Sequence, residues 1–300
     1  MSFNYKRIRS KYTANSVSVK NENTNDIFKN ALGKFSIYSL YPNIKGAQEK
    51  IAVELNVDCD NIILGAGSEE LLKNLFLLLD YDNIQILEHS FELGFYYNHL
   101  LHKEVITNCV SYDGQCFNFQ DITTLGGDAL YLVSPHCPTG VKFTLQQIRE
   151  YSEKFKYVIV DEAYLNPIIF DQPILHNVIY LRSFSKLGGV PGLRIGYAIA
   201  HADIIQKLHT VRNSYEINSA AVEYLQFIFD NKQLIDANIM EYEKCYGLLK
   251  KDINNFSIRC ANFATFEYEK LNGKKYQISN HTFTRVTLCD SLKYENLYCR

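Results

Sequence analysis

Three near-continuous apolar runs, Ala129–Val133, Tyr157–Val160 and Val178–Leu181, each lead straight into a polar cluster, and this serial pattern constrains the fold most. The clusters are Ser134-Pro135-His136-Cys137-Pro138-Thr139-Gly140, Asp161-Glu162-Ala163-Tyr164 and Ser183-Phe184-Ser185-Lys186. Short apolar runs without alternation are what strands covered on both faces look like. Asn61–Leu64, Ile84–Leu87, Glu104–Val110 and Ile195–Ala200 are further strand candidates. Helical stretches fall between them, at Phe91–Leu101 and Leu145–Phe155. An earlier helix carries Ala47, Ile51 and Leu55 on one face, and Ser68 reads as the N-cap of a helix over Glu69–Leu79. The alternation predicts an α/β chain with a mostly parallel sheet between helices. In an open parallel sheet the ligand crevice lies beyond the carboxyl ends of the strands, so the three clusters are expected to converge there.

From His201 the pattern is helical to about Ile253, followed by β-like runs at Ala261–Tyr268 and His281–Leu288. A large α/β domain is expected at residues 36–225. Residues 1–35 and 226–300 then form an N-terminal arm, with a short helix at Asp26–Leu32, and a small α+β domain. The first twenty residues are basic and free of acids but have no secretory apolar core, so they read as an arm. Balanced charge (31 basic, 33 acidic residues) gives no electrostatic argument for nucleic acid or an anionic membrane. No apolar run approaches a membrane span. The eight cysteines form no CxxC pair and no metal-type spacing, so they are expected to be reduced thiols in a cytoplasmic protein without a metal.

The third cluster continues into Leu187-Gly188-Gly189-Val190-Pro191-Gly192-Leu193-Arg194. Glycines at this density are costly unless the backbone bends sharply or something approaches it closely. Two hydroxyls, one amine and one guanidinium on such a loop suit a phosphate beside a reactive amine. Asp161 ends an apolar strand, where a carboxylate needs a cationic partner, and a protonated pyridine nitrogen would serve. Tyr164 can hydrogen-bond a ring hydroxyl. Gly65-Ala66-Gly67-Ser68 opens a helix and offers backbone N–H groups to a phosphate. Lys186 supplies an amine for a Schiff base. Ring nitrogen, ring oxygen, phosphate and aldehyde together describe pyridoxal 5′-phosphate.

The same residues carry a resemblance that covers most of the chain. With Asn21-Glu22-Asn23, Tyr41-Pro42, Gly65–Glu70, Pro138-Thr139-Gly140, Asp161–Tyr164, Ser183–Lys186, Gly192–Gly196, Asn262-Phe263 and Arg285-Val286-Thr287, the chain resembles fold type I pyridoxal-phosphate aminotransferases. It is most similar to their histidinol-phosphate branch. The resemblance implies a seven-stranded sheet and transfer of an amino group between an amino acid and a keto compound in ping-pong half-reactions. By it, Lys186 holds the cofactor and acts as base, Asp161 keeps the ring nitrogen protonated and Tyr164 bonds the ring oxygen. The backbone around Gly67, Ser68 and Glu69 holds the phosphate together with Ser183, Ser185 and Arg194. Tyr41 would reach the neighbouring subunit's cofactor, which implies a homodimer with shared sites. Arg285 would grip the substrate carboxylate, and Asn23 would contact substrate.

Cys137 stands where the family has an asparagine that bonds the ring oxygen, and Gly94 where it has a ring-stacking aromatic, for which Phe91, Phe95 or Tyr96 could substitute. The stretch from Asn262 to Arg285 is shorter than usual, and Arg212–Asn218 keeps the family pattern only in part. Decarboxylases of phosphorylated amino acids resemble the same branch, and a non-catalytic cofactor-binding member is a further alternative. A dinucleotide-binding oxidoreductase would use Gly65-Ala66-Gly67 and Glu88, but Glu70 occupies its third glycine position and Lys186 goes unexplained.

Overall fold

The structure is a computed structural model that describes residues 41–124, 127–253 and 255–288. The expectations for the N-terminal arm, its helix, Asn23, Cys289 and Cys299 lie outside the described residues. Thirteen strands are described: β1 (Ile62–Ala66), β2 (Asn83–Leu87), β3 (Glu104–Asn108), β4 (Val110–Tyr112), β5 (Phe117–Phe119), β6 (Ala129–Val133), β7 (Tyr157–Asp161), β8 (Val178–Ser183), β9 (Ile195–Ile199), β10 (Ser257–Cys260), β11 (Phe263–Phe266), β12 (Lys274–Ile278) and β13 (His281–Thr287). The helices are α1 (Ile44–Leu55), α2 (Ser68–Leu78), α3 (Glu92–Leu100), α4 (Leu145–Lys154), α5 (Ala202–His209), α6 (Ser219–Asp230) and α7 (Gln233–Asp252).

The main sheet has seven strands in the order β1-β9-β8-β7-β6-β2-β3. β2 runs parallel to both β3 and β6, whereas β9 is antiparallel to β1 and to β8. Every residue of β6, β8 and β9 is buried, which explains why β6, β9 and the first four residues of β8 read as runs without polar alternation. Each fully buried Val, Leu or Ile contributes roughly 1.5–3 kcal/mol of apolar transfer.

The described residues form two compact units, one of residues 80–158 and 241–288, the other of 41–79 and 159–240. In the second, α1 buries Ala47, Ile51 and Leu55 as its spacing predicts. In the first, β10-β11-β13-β12 form an antiparallel sheet, and β4 pairs with β5. Tyr112 and Phe117 of that hairpin pack with Tyr276, Ile278 and Phe283. The expected strand Glu104–Val110 is broken after Asn108, whose buried side chain donates to Gln85 Oε1 at 3.0 Å, and Val110 begins the separate hairpin. Ser68 is the first residue of α2 and not its cap. Gly67 holds the cap position without a side chain, and Glu70 Oε2 accepts from the Ala66 N–H at 2.6 Å.

Candidate active site

The second unit carries most of the expected site. Between β1 and α2 the chain turns at Gly67, whose φ of 81° an L side chain rarely adopts. A Cβ there would lie 2.6 Å from Arg194 Nη2, so the guanidinium sits directly against the turn. A Cβ on Gly196 would lie 2.2 Å from the Ser68 nitrogen, so β9 runs backbone to backbone past the start of α2. Arg194 itself has φ 54°, at the end of the single turn Pro191–Leu193. Its Nη2 reaches to 3.5 Å from the Ala66 carbonyl and 3.9 Å from Glu69 Oε2. A helix start with backbone amides and a guanidinium against it forms a cradle for an anion.

β8 delivers the lysine loop. Ser183 and Ser185 are both buried, and the Ser185 N–H donates to Ser183 Oγ at 3.1 Å. The loop then turns on Gly189 N–H to the Lys186 carbonyl (3.1 Å) and Val190 N–H to the Phe184 carbonyl (3.3 Å). Lys186 Nζ stands 5.3 Å from the centre of the Tyr164 ring. Asp161, at the end of β7, is 6% exposed, and its Oδ1 accepts from the Ala163 N–H at 3.1 Å. Gly67, Ser68, Glu69, Asp161, Tyr164, Ser183, Ser185, Lys186 and Arg194 thus all belong to one compact unit. So does Tyr41, which is exposed and stacked on Tyr215 with ring centres 4.1 Å apart.

Two charged residues in this unit were not singled out by the sequence. Glu162 and Arg182 form an ion pair at 2.7 Å with side chains 1% and 3% exposed. The available signal was a charge at Arg182, directly after the apolar run Val178–Leu181 and before Ser183.

The first unit carries Cys137 and Arg285. Cys137 is half-buried, and the next residue's carbonyl, Pro138 O, accepts from Thr265 Oγ1 at 2.6 Å. Thr265 lies opposite Arg285 in the β11–β13 register, and the Arg285 guanidinium lies 4.9 Å from the centre of the Phe263 ring. Gly94 is buried in α3, and a Cβ on it would meet the Tyr131 ring at 2.7 Å. Tyr131 fills the space beside Gly94, which accounts for the missing aromatic there. Phe91, Phe95 and Tyr96 are each half-buried.

His136, part of the first polar cluster but given no role by the sequence, is buried. Its Nε2 lies 3.1 Å from the Glu88 carbonyl, which can only accept, so the proton is on Nε2. Nδ1 then accepts from Thr139 Oγ1 at 2.9 Å, whose oxygen accepts from the Val141 N–H at 3.3 Å. Burial pulls the His136 pKa down to about 3, so it stays neutral. Among the described residues no group of three or more His, Cys, Asp or Glu side chains could hold a metal, and no helix is long and apolar enough to cross a membrane.

The family model "Aminotransferase class I and II" matches residues 10–294. The chain is 28% identical over 228 residues to histidinol-phosphate aminotransferase 2 of Oceanobacillus iheyensis, covering 69% of this chain and 62% of that protein. A histidinol-phosphate aminotransferase from Sinorhizobium meliloti, solved in complex with pyridoxal-5′-phosphate, superposes with a TM-score of 0.73 at 16% identity, covering 93% of this chain and 85% of that one. The L-threonine-O-3-phosphate decarboxylase of Porphyromonas gingivalis superposes with a TM-score of 0.71 at 16% identity, covering 94% and 95%. The matched residues 10–294 span nearly the whole sequence, and the chain belongs to the aminotransferase class I and II family.

Proposed function

We propose that this chain moves an amino group between an amino acid, or an amino-phosphate compound, and a keto compound in two ping-pong half-reactions. Pyridoxal 5′-phosphate is the cofactor of the family. The donor set fits that group. Gly67 turns the chain at the start of α2, Gly196 lets β9 pack backbone to backbone against that start, Arg194 lies against the turn, and Asp161 is a buried acid suited to a ring cation. When bound, the cofactor supplies an electron-withdrawing ring that spreads the negative charge left on a substrate carbon.

In this reading Lys186 links the cofactor and moves the proton on the substrate carbon as general base. Asp161 would hold a proton on the ring nitrogen, and the Tyr164 hydroxyl would donate to the ring oxygen. Backbone N–H groups at Gly67, Ser68 and Glu69, with Ser183, Ser185 and Arg194, hold the phosphate. By the resemblance Cys137 would stand where the family has an asparagine, and because a thiol is a weak donor the hydrogen bond to a ring oxygen would fall mainly to Tyr164. Arg285 grips the substrate carboxylate with its planar fork, and Asn23 contacts substrate. Tyr41 completes the site of a second copy in a cytoplasmic homodimer.

The observation that carries the reading is the Lys186 amine 5.3 Å from the Tyr164 ring, in the unit that also holds buried Asp161 and the Gly67 turn with Arg194 against it. The test is a screen of amino donors against the cofactor-loaded protein, following the change of the cofactor's absorbance to its amine form. At least one donor is expected to convert wild type, and Lys186→Ala to show neither the imine absorbance nor turnover. Turnover surviving in Lys186→Ala sinks the mechanism. The likeness to a threonine-phosphate decarboxylase favours a second reading, loss of carbon dioxide from a phosphorylated amino acid. Carbon dioxide release without any keto acceptor would replace the first reading with the second.

A further inference from the structure

The buried pair Glu162–Arg182 lies outside the roles above, yet each member adjoins a site residue, Asp161 and Ser183 respectively. Arg182 Nε donates to Glu162 Oε2 at 2.8 Å, and Nη2 lies 2.7 Å from the same oxygen. Arg182 Nη1 donates to the backbone carbonyls of Asn166 (2.9 Å) and Ile169 (3.0 Å), and the guanidinium lies 5.8 Å from the centre of the Phe170 ring. One side chain of β8 therefore fastens the end of β7 and both sides of the turn that follows it. Backbone bonds add to the clamp: the Glu162 N–H donates to the Leu181 carbonyl at 2.8 Å, and the Leu165 N–H to the Glu162 carbonyl at 2.9 Å. Tyr164 sits inside that turn, between two anchored points, and its ring faces Lys186.

We propose that Glu162 and Arg182 are positioning residues that set Asp161 and Tyr164 against Lys186, and so tune the protonation of the cofactor when it is bound. This rests on the function proposed above for Lys186, Asp161 and Tyr164. A pair with a purely structural role would stabilise the fold and leave the site's acid–base behaviour untouched. Glu162→Gln keeps the shape and removes the carboxylate charge. Arg182→Lys keeps the cation and loses the planar fork that reaches the Asn166 and Ile169 carbonyls. A third variant, E162L/R182M, removes both charges at similar volume, an exchange that buried ion pairs often tolerate.

The experiment has two readouts. On the protein without cofactor, hydrogen exchange of the amides 163–166, 168 and 169 is compared among variants; it is expected to speed up about tenfold or more in Arg182→Lys and in the double variant. On the cofactor-loaded protein, the pH midpoint of the cofactor's absorbance change is titrated. It is expected to move by at least half a pH unit in every variant that folds, with the double variant serving should the single ones fail. Variants that lose thermal stability but keep the wild-type exchange pattern and titration midpoint overturn the proposal. Loss of the proposed amino-transfer activity in wild type itself would strike the function reading alone, because the exchange and titration comparisons need no substrate.

Discussion

His136 shows how much one buried residue can impose. Its ring is fully enclosed, donating to Glu88 O and accepting from Thr139, so the folded protein refuses a proton that the unfolded chain accepts near the ordinary histidine pKa of about 6.5. The folded pKa lies below the unfolded one, at about 3. The unfolded state therefore binds more protons below pH 6.5, and stability falls as the pH drops from there toward 3 while being flat above. At pH 5 the loss from this one residue comes to about 2 kcal/mol. His136→Asn, which can still donate and accept but does not titrate, is expected to flatten that stretch of the curve. Urea midpoints of both proteins at pH 7.5 and pH 5 measure it, and an equal acid loss in the two would contradict the account. The sequence offered His136 only as part of a polar cluster. Its role depends on Thr139 and on Glu88, from the end of another strand, which no local spacing encodes.

At the level of elements, what could be read depended on burial. β6 and β9 lie within the apolar runs that the sequence displays, and β7 and β8 begin with theirs and extend past them through Asp161 and through Arg182 and Ser183; their residues are almost all buried. β12 was missed: Lys274-Lys275-Tyr276-Gln277-Ile278 is an outer strand that buries only alternate residues, so its lysines read as loop. β10 was missed because it is four residues long and contains Arg259, whose guanidinium pairs with Glu243 at 2.9 Å. The glycine loop was legible as a demand for close approach, which Gly188 meets with a Cβ position 2.6 Å from the Phe184 carbonyl oxygen, but a tighter contact lies outside the loop. The closest approach is at Gly196, on β9, where the backbone of the β1–α2 turn passes. Gly196→Ala puts a methyl group against the Ser68 nitrogen and the Gly67 carbon, backbone atoms that no side-chain rotation can relieve. The expected cost is about 1–3 kcal/mol or more of stability, since overpacking here forces β9 and α2 apart. Cofactor affinity should weaken with it. Thermal unfolding and a cofactor titration check the two effects, and a Gly196→Ala protein with wild-type values of both would refute the close-packing account.

At the scale of the whole molecule, the residues proposed to hold the cofactor stand at strand ends, where the sequence shows polar clusters after apolar runs: Asp161 closes β7 and Lys186 follows β8. What one chain cannot display is which site Tyr41 serves. Tyr41 is 78% exposed and leans on Tyr215, itself 54% exposed, so the pair presents two aromatic rings to the outside. A hydroxyl at that position acts in a neighbour's site if the protein is a homodimer with shared sites, and this arrangement has a distinctive consequence. In a two-fold dimer each site then draws Lys186 from one subunit and Tyr41 from the other. Lys186→Ala and Tyr41→Ala homodimers are each expected to be weakly active or inactive. Unfolded together and refolded as a mixture, they form hybrids in which one of the two sites has both residues intact. Random assortment makes half the dimers hybrids, so about a quarter of the wild-type activity should return. If Tyr41 serves its own subunit's Lys186, every site in every hybrid lacks one of the two residues, and mixing restores nothing.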